Sequence, residues 1–285
     1  MIDTVATVES NEELSPGYRL LVLHFEVDIE AGAGQFAMLR AQTLFEPLLR
    51  RALAVYRQLS PRRLSFLYQV LGRGTQALSQ LGPCSRVEAL IPLGNSWPAD
   101  LRAERGAAGA PLPDAARAIV AAGGIGSASL LMLCEQLLKA NVKTQVLFGA
   151  ASAMAARGCG LEDFAGIGLP LTITTDDGSL GERGVVTAPL ERLLKNEDFS
   201  GAVVYSCGPW PMMSRVAEIG ARHHVRCLVS LEAPMGCGFG VCVGCVVAVK
   251  SDGEPGYDSY KRVCVEGSIF PAETIDWNVN AMTRS

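Results

Sequence analysis

Between Met235 and Cys245 the chain reads Met-Gly-Cys-Gly-Phe-Gly-Val-Cys-Val-Gly-Cys, and eighteen residues separate Cys245 from Cys264. No other stretch constrains the fold as tightly. Three thiols spaced C-x4-C-x2-C can meet at one centre only if the backbone curls around it. A fourth must be carried back from further along, and a returning strand is the expected carrier. Interspersed glycines, which enter strained backbone regions freely, allow the curl. Plant-type 2Fe-2S centres take their ligands in this order. The candidate ligands are Cys237, Cys242, Cys245 and Cys264. A structural zinc site is the competing reading, although zinc sites more often pair two C-x2-C knuckles. Four unligated thiols are the third.

Composition narrows the setting. At 285 residues the chain is long enough for two domains and a small third. Hydrophobic residues make up 49% and the mean hydropathy is +0.23, which predicts a surface that partly faces a partner. A net charge of −4 and no basic tract argue against nucleic acid as a ligand. No run of eighteen apolar residues is present, so no membrane span is expected. The opening MIDTVATVESNEEL has no apolar signal core, which predicts a cytoplasmic protein. Nine cysteines in a reducing compartment read as ligands and buried thiols rather than disulfides.

Residues 1–97 read as β structure, with apolar and β-branched runs at Tyr18–Phe25, Gln35–Leu39, Leu53–Tyr56, Leu64–Val70 and Arg86–Ile91. Gly and Pro punctuate them at the spacing of a small barrel or sandwich. One helix is predicted near Thr75–Leu81. Residues 98–114, rich in Ala, Gly and Pro, read as a linker or insertion. From 115 to 226 strands at Ala118–Ala122, Thr144–Gly149, Leu171–Thr175 and Ala202–Tyr205 alternate with helices at Ala128–Lys139, Thr187–Leu194 and Met212–Arg222. Such alternation indicates an α/β domain with a parallel sheet. Residues 227–285 carry the cysteine motif and two or three short strands. The expected class is therefore α+β multidomain: an antiparallel β-barrel, a parallel-sheet domain and a small cysteine-bearing domain.

Other candidate sites are weaker alone. Gly123-Gly124-Ile125-Gly126 follows a strand and opens a helix, where backbone N–H groups favour a pyrophosphate; a plain tight turn would use the same glycines. Cys207-Gly208-Pro209 ends a late strand, on the edge where ligands bind in open α/β sheets; a buried thiol before a turn is the plain alternative. Adjacent Arg50 and Arg51 point to opposite faces of a strand, so one can reach a cofactor. Gly74-Thr75 offers backbone donors and a hydroxyl to a second phosphate, or Thr75 merely caps the helix. The three histidines form no catalytic pattern, and hydrolysis and phosphoryl transfer find no support.

Together, PLLRRALAV, FLYQVLGRGTQALS, IPLGNSW, AAGGIGSASL, TTDDGSLGERGVVT, YSCGPWPMM and SLEAPMGCGFGVCVGCVV with YKRVCVEGSIF resemble the ferredoxin–NADP reductase superfamily. Within it they resemble the electron-transfer subunits of class 1B dihydroorotate dehydrogenases. The resemblance implies a flavin barrel, a nicotinamide domain and a cluster domain. It implies FAD along Arg51, Ala52, Leu53, Ala54, Leu67, Tyr68, Gln69, Gly74 and Thr75. It implies NAD at Gly123, Gly124, Gly126, Gly208 and Pro209, with Cys207 as the catalytic position, and a 2Fe-2S cluster on the four cysteines. A catalytic flavoprotein partner, two copies of each subunit, and electron transfer between NAD(H) and that partner follow. Related subunits serve hydrogenases, sulfite reductases and transhydrogenases. The chain departs from the usual R-P-x-S at Ala52 and Ala54, and has Gln69 where Arg is frequent. The hydroxyl missing at Ala54 is worth about 0.5–1.5 kcal/mol if unreplaced. These departures open a further reading, a flavin-less cluster-bearing regulatory subunit. Directly after Phe148-Gly-Ala, where a basic residue would suit a 2′-phosphate, the chain has Ala151, which points to NAD over NADP.

Overall fold

The computed structural model describes residues 1–41, 47–98, 117–196, 199, 201–251 and 256–282. Apart from Pro98, the 98–114 linker lies outside the described residues. Seven strands form the first sheet: β1 (Ile2–Ser15), β2 (Tyr18–His24), β3 (Phe36–Ala41), β4 (Arg51–Ala54), β5 (Arg57–Ser60), β6 (Arg63–Gln69) and β7 (Arg86–Leu93). Helix α1 (Arg73–Ser79) lies between the last two. The strand order is β4-β3-β7-β1-β2-β6-β5, antiparallel throughout. Edge strands β4 and β5 are joined by Val55 and Tyr56. The Val55 N–H donates to the Gln35 carbonyl (2.9 Å) and the Tyr56 N–H to the Ser65 carbonyl (2.8 Å), so this link curls the sheet into a barrel.

Two strands, β1 and β5, were not expected from the sequence, and the second is a mostly polar run of four residues. β1 was not expected, because Glu9, Glu12 and Glu13 mask its alternation; Ala6 and Val8 face the core while bulges bend the strand. β6 is buried on both faces. Leu64, Phe66 and Tyr68 fill the barrel, while Leu67 packs against the second domain.

That domain contains β8 (Arg117–Gly123), α2 (Leu131–Lys139), β9 (Lys143–Ala150), α3 (Ala153–Gly158), α4 (Leu161–Gly166), β10 (Leu171–Thr175), β11 (Glu182–Arg183), α5 (Thr187–Asn196), β12 (Val203–Cys207), α6 (Trp210–Arg222) and β13 (Arg226–Ser230). There follow β14 (Val246–Ala248), β15 (Tyr260–Arg262), α7 (Val263–Glu266), β16 (Ile269–Pro271) and α8 (Trp277–Met282). The second sheet runs β11-β10-β9-β8-β12-β13-β16, parallel except for the final antiparallel pair. Its β8, β12 and β13 are apolar along nearly their whole length, as expected of strands covered on both faces. A division at 226/227 would cut β13, whose five residues all pair with β12; the chain leaves the sheet only after Ser230. Cys264 is carried by the one-turn helix α7 at the end of β15, where a strand was expected.

The domains share cores. Ala33, Tyr56, Leu67 and Trp97 of the barrel belong to the cluster that covers one face of the parallel sheet. Phe36, Met38 and Leu93 join the other face together with Cys245, Val247 and Cys264. Polar contacts tighten the junction. The Tyr56 hydroxyl donates to Asp163 (2.6 Å), Arg57 reaches Glu135 (2.8 Å) and Asp163 (3.2 Å), and the Trp97 indole N–H donates to the Ser129 carbonyl (2.8 Å). No helix among the described residues is long and apolar enough to cross a membrane.

Candidate functional site

From β8 the chain turns one way across the sheet to β9, and β12 leads the other way to β13, so a crevice opens where their carboxyl ends diverge. Cys207 pairs with Ala122 there. The two turns interlock. A Cβ on Gly126 would lie 2.6 Å from the Cys207 carbonyl carbon and the Gly208 nitrogen, and one on Gly208 would lie 2.9 Å from the Gly123 Cα. Side chains are excluded at both by backbone-to-backbone contact. Beyond the turns lies a cavity of about 740 Å³. Gly123, Gly124, Gly126, Gly208 and Pro209 line it, with Ala151 and Asp176 at one end and Trp210 and Met212 of α6 at the other. The start of α6 adds backbone N–H groups that favour an anion. Arg215 also lines the cavity and pairs with Glu191 (3.0 Å) and Glu218 (2.7 Å).

A second cavity, about 250 Å³, lies between the barrel and the parallel sheet. Arg51, Ala52, Leu53, Ala54, Leu67, Tyr68, Gln69 and Thr75 form its barrel wall; Ser129, Cys207, Ser230 and Met235 belong to the opposite wall. Cys207 thus faces this cavity, while its neighbours Gly208 and Pro209 face the first. Burial, reinforced by the Glu232 carboxylate, pushes the Cys207 thiol up to about 12, so it is a neutral S–H at neutral pH. Arg51 lines the cavity, whereas Arg50 is held by Asp3 (2.8 Å) and Glu88 (3.4 Å). Gly74 is not part of the wall; a Cβ there would collide with the Arg51 guanidinium. Thr75 is not the N-cap residue that was expected but stands at the third helical position, where its hydroxyl takes part in a capping box. Gly72 is the cap, and the Thr75 hydroxyl accepts the N–H of Leu71 (3.0 Å) and Gly72 (3.2 Å). Gln69 donates its amide to the Tyr18 hydroxyl (3.1 Å). A cavity whose barrel wall is mostly apolar and carries one guanidinium fits an aromatic ring bearing phosphates.

Gln69, Ile125 and Glu232 line both cavities. These junction residues, with Ser230 and Met235, escaped sequence reasoning except for Gln69. Only the Met-before-Cys adjacency offered a signal.

The four cysteines stand as two pairs. The Cys245 and Cys264 sulfurs are 3.2 Å apart and nearly buried, at 2% and 3% exposure. Burial alone would raise the Cys237 thiol. Backbone N–H groups of Cys242 and Phe239, the Cys242 thiol and the Val241 N–H outweigh it and bring it down to about 6. Burial and the adjacent Cys245 thiol push Cys264 up to about 12. Among the described residues no three ligand side chains converge on a single-ion point. Two thiol pairs, one rich in N–H donors, fit the donor set of a two-iron centre. Val243 adopts φ 54°, a left-handed conformation costly for a β-branched residue and held here by the loop. Around the loop Phe239, Val241, Val243 and Val265 expose 47%, 73%, 42% and 49% of their surface.

The iron–sulfur cluster binding domain of dihydroorotate dehydrogenase B matches residues 232–276. The electron transfer subunit of dihydroorotate dehydrogenase B (NAD(+)) from Desulforamulus reducens is 35% identical over 245 residues, 86% of each chain. Its counterpart from Streptococcus mutans is 31% identical over 265 residues, covering 93% of this chain and 94% of the relative. Among solved structures, an NADH-dependent reduced ferredoxin-NADP oxidoreductase superposes with a TM-score of 0.79 at 23% identity, over 97% of this chain and 91% of that one. The cytochrome b5 reductase domain of Ulva prolifera nitrate reductase gives 0.57 at 16% identity over 77% and 93%. The two-sheet architecture is that of these reductases, and by its relatives the chain belongs to the family of dihydroorotate dehydrogenase B electron-transfer subunits.

Proposed function

We propose that this chain carries electrons between NAD(H) and a partner flavoprotein, the dihydroorotate-oxidising subunit of pyrimidine biosynthesis. The observation that carries the reading is the continuity of three sites. The larger cavity shares Gln69, Ile125 and Glu232 with the smaller one, and Met235 of the smaller one lies two residues before Cys237. When bound, NAD(H), FAD and a 2Fe-2S cluster supply hydride exchange and single-electron release.

The chain's own residues place these groups. The interlocked glycine turns and the start of α6 hold a dinucleotide against the shared wall. Ala151 stands directly after β9, where a basic residue would suit a 2′-phosphate, which supports NAD. Arg51 and the apolar barrel wall hold the flavin, and Cys207 presents a neutral thiol to it. Cys237, Cys242, Cys245 and Cys264 ligate the cluster at the surface. The exposed apolar side chains around the loop form the docking rim for the catalytic subunit, in a hetero-oligomer with two copies of each. The unit boundaries follow: a flavin barrel to residue 97, a nicotinamide domain through β13, and a cluster unit from Leu231 that lends β16 back to the sheet. All nine cysteines are unbridged, which supports a cytoplasmic location.

An anaerobic absorption spectrum with iron, sulfide and flavin quantified is the test. Flavin bands, about two irons and two sulfides per chain, and bleaching by NADH are expected. The chain alone reduces a dye with NADH and leaves dihydroorotate untouched. Dihydroorotate turnover by the isolated chain sinks the proposal. Ala52, Ala54 and Gln69 motivate one competing reading, and iron and sulfide without flavin would establish it: a flavin-less cluster subunit.

A further inference from the structure

We propose that Ser230, at the end of β13, supplies the flavin-facing hydroxyl that the chain lacks at Ala54. This inference rests on the reading of the smaller cavity as the flavin site.

The barrel wall from Arg51 to Ala54 offers no hydroxyl, because Ala52, Leu53 and Ala54 carry none. Five hydroxyl side chains line the cavity: Tyr68, Thr75, Ser129, Ser230 and Ser268. Four are committed elsewhere. Tyr68 donates to the Asn11 side chain (3.2 Å), Thr75 to the Gly72 carbonyl (3.1 Å), Ser129 to the Gly126 carbonyl (3.2 Å) and Ser268 to the Gly34 carbonyl (3.3 Å). Among the described residues no carbonyl is paired with the Ser230 hydroxyl. Ser230 pairs with Cys207 across the sheet, and both line the cavity, where the Ser230 and Ser129 hydroxyls lie beside the thiol.

Sulfur is a weak acceptor, so turning the Ser230 proton toward a ring nitrogen or carbonyl costs little. Ser230 is 4% exposed and Cys207 is 2% exposed. A hydroxyl buried to that degree is worth more when it meets a strong acceptor than when it faces a thiol. The register adds a second support. Ser230 pairs with Cys207 on β12 and with Ile269 on β16, so its backbone is fixed on both sides. The polar contact thus comes from the parallel-sheet wall, on the face opposite the one that the R-P-x-S pattern would use.

The test is FAD affinity, measured by recovery of flavin fluorescence on dissociation, together with the flavin absorption envelope. Ser230→Ala is expected to weaken FAD binding about 5- to 10-fold, the worth of one hydrogen bond to a buried acceptor, and to shift the flavin bands. Ala54→Ser in the native chain is expected to change affinity less than 2-fold, and to recover part of the loss when combined with Ser230→Ala. If Ser230→Ala binds FAD within 2-fold of the native chain with unchanged bands, the proposal is overturned. It is equally overturned if Ala54→Ser alone tightens binding 5-fold or more. A native chain that takes up no flavin from excess FAD removes the flavin reading itself, a result that the variants cannot mimic.

Discussion

The cysteine loop and the inter-sheet cleft reach function by opposite routes. The loop, Cys237 to Cys245, is local: three of its four thiols lie within nine residues, and its N–H donors come from the same residues. Its cysteines range from exposed at Cys242 to buried at Cys245. The cleft is assembled from distant segments, so that Arg51, Ser129, Cys207 and Met235 meet across walls built by different domains. A local site survives changes in the surrounding fold but fails completely when one ligand is lost. A composite site degrades by degrees, because each wall contributes a fraction of the binding.

That contrast can be broken at four places. The largest effect is expected at Cys245→Ser, which should reduce iron and labile sulfide from about two per chain to near zero while flavin content holds. Retained iron would show that the paired thiols are not the ligands. Next, Gly126→Ala drives a Cβ against the Cys207–Gly208 backbone. Overpacking of this kind costs about 1–3 kcal/mol, and NAD(H) affinity should fall about tenfold or more. Wild-type affinity by titration would show that the turns are not the dinucleotide site.

A smaller effect belongs to the junction. Tyr56→Phe removes the hydroxyl bound to Asp163, and urea denaturation should show a loss of about 1 kcal/mol. No loss would mean that the apolar contacts alone hold the domains together. The smallest effect lies on the barrel. The Arg40 hydrogen bond, opposed by partial burial and aided by Arg50, keeps Glu88 below the usual carboxylate range. A depressed carboxylate stabilises the fold above its unfolded pKa and ceases to do so as pH falls through the folded value. Arg40→Met should therefore cost about 0.5–1 kcal/mol at pH 7, and the difference from the native chain should vanish in strong acid. A difference that persists there would point to packing by the Arg40 stem.

The legibility of each region follows from the range of its interactions. The parallel sheet showed through because strands such as Ala118–Ala122 are buried on both faces and read as unbroken apolar runs. β1 stayed hidden because its outward glutamates outnumber its two fully buried apolar side chains. Thr75 was read as a cap on residue type, yet the helix begins two residues earlier and turns the hydroxyl back on its own backbone. Ser230, Glu232 and Met235 carried no motif that ties them to the cleft. Their roles come from where β13 ends.

By itself the chain's sequence determined the chemistry that needs only neighbours: the cysteine spacing, the glycine turns, and the change from antiparallel to alternating strand–helix patterning at about residue 115. Periodicity and short-range spacing are properties of the chain before it folds. Tertiary structure decided which side chains share a cavity. It placed Cys207 in the smaller cavity while Gly208 and Pro209 face the larger, and it paired Cys264 with Cys245. It also brought the barrel and sheet walls close enough for Gln69, Ile125 and Glu232 to serve both cavities. Those juxtapositions depend on how two separately formed sheets pack, through contacts between residues far apart in the chain, and no local pattern encodes them.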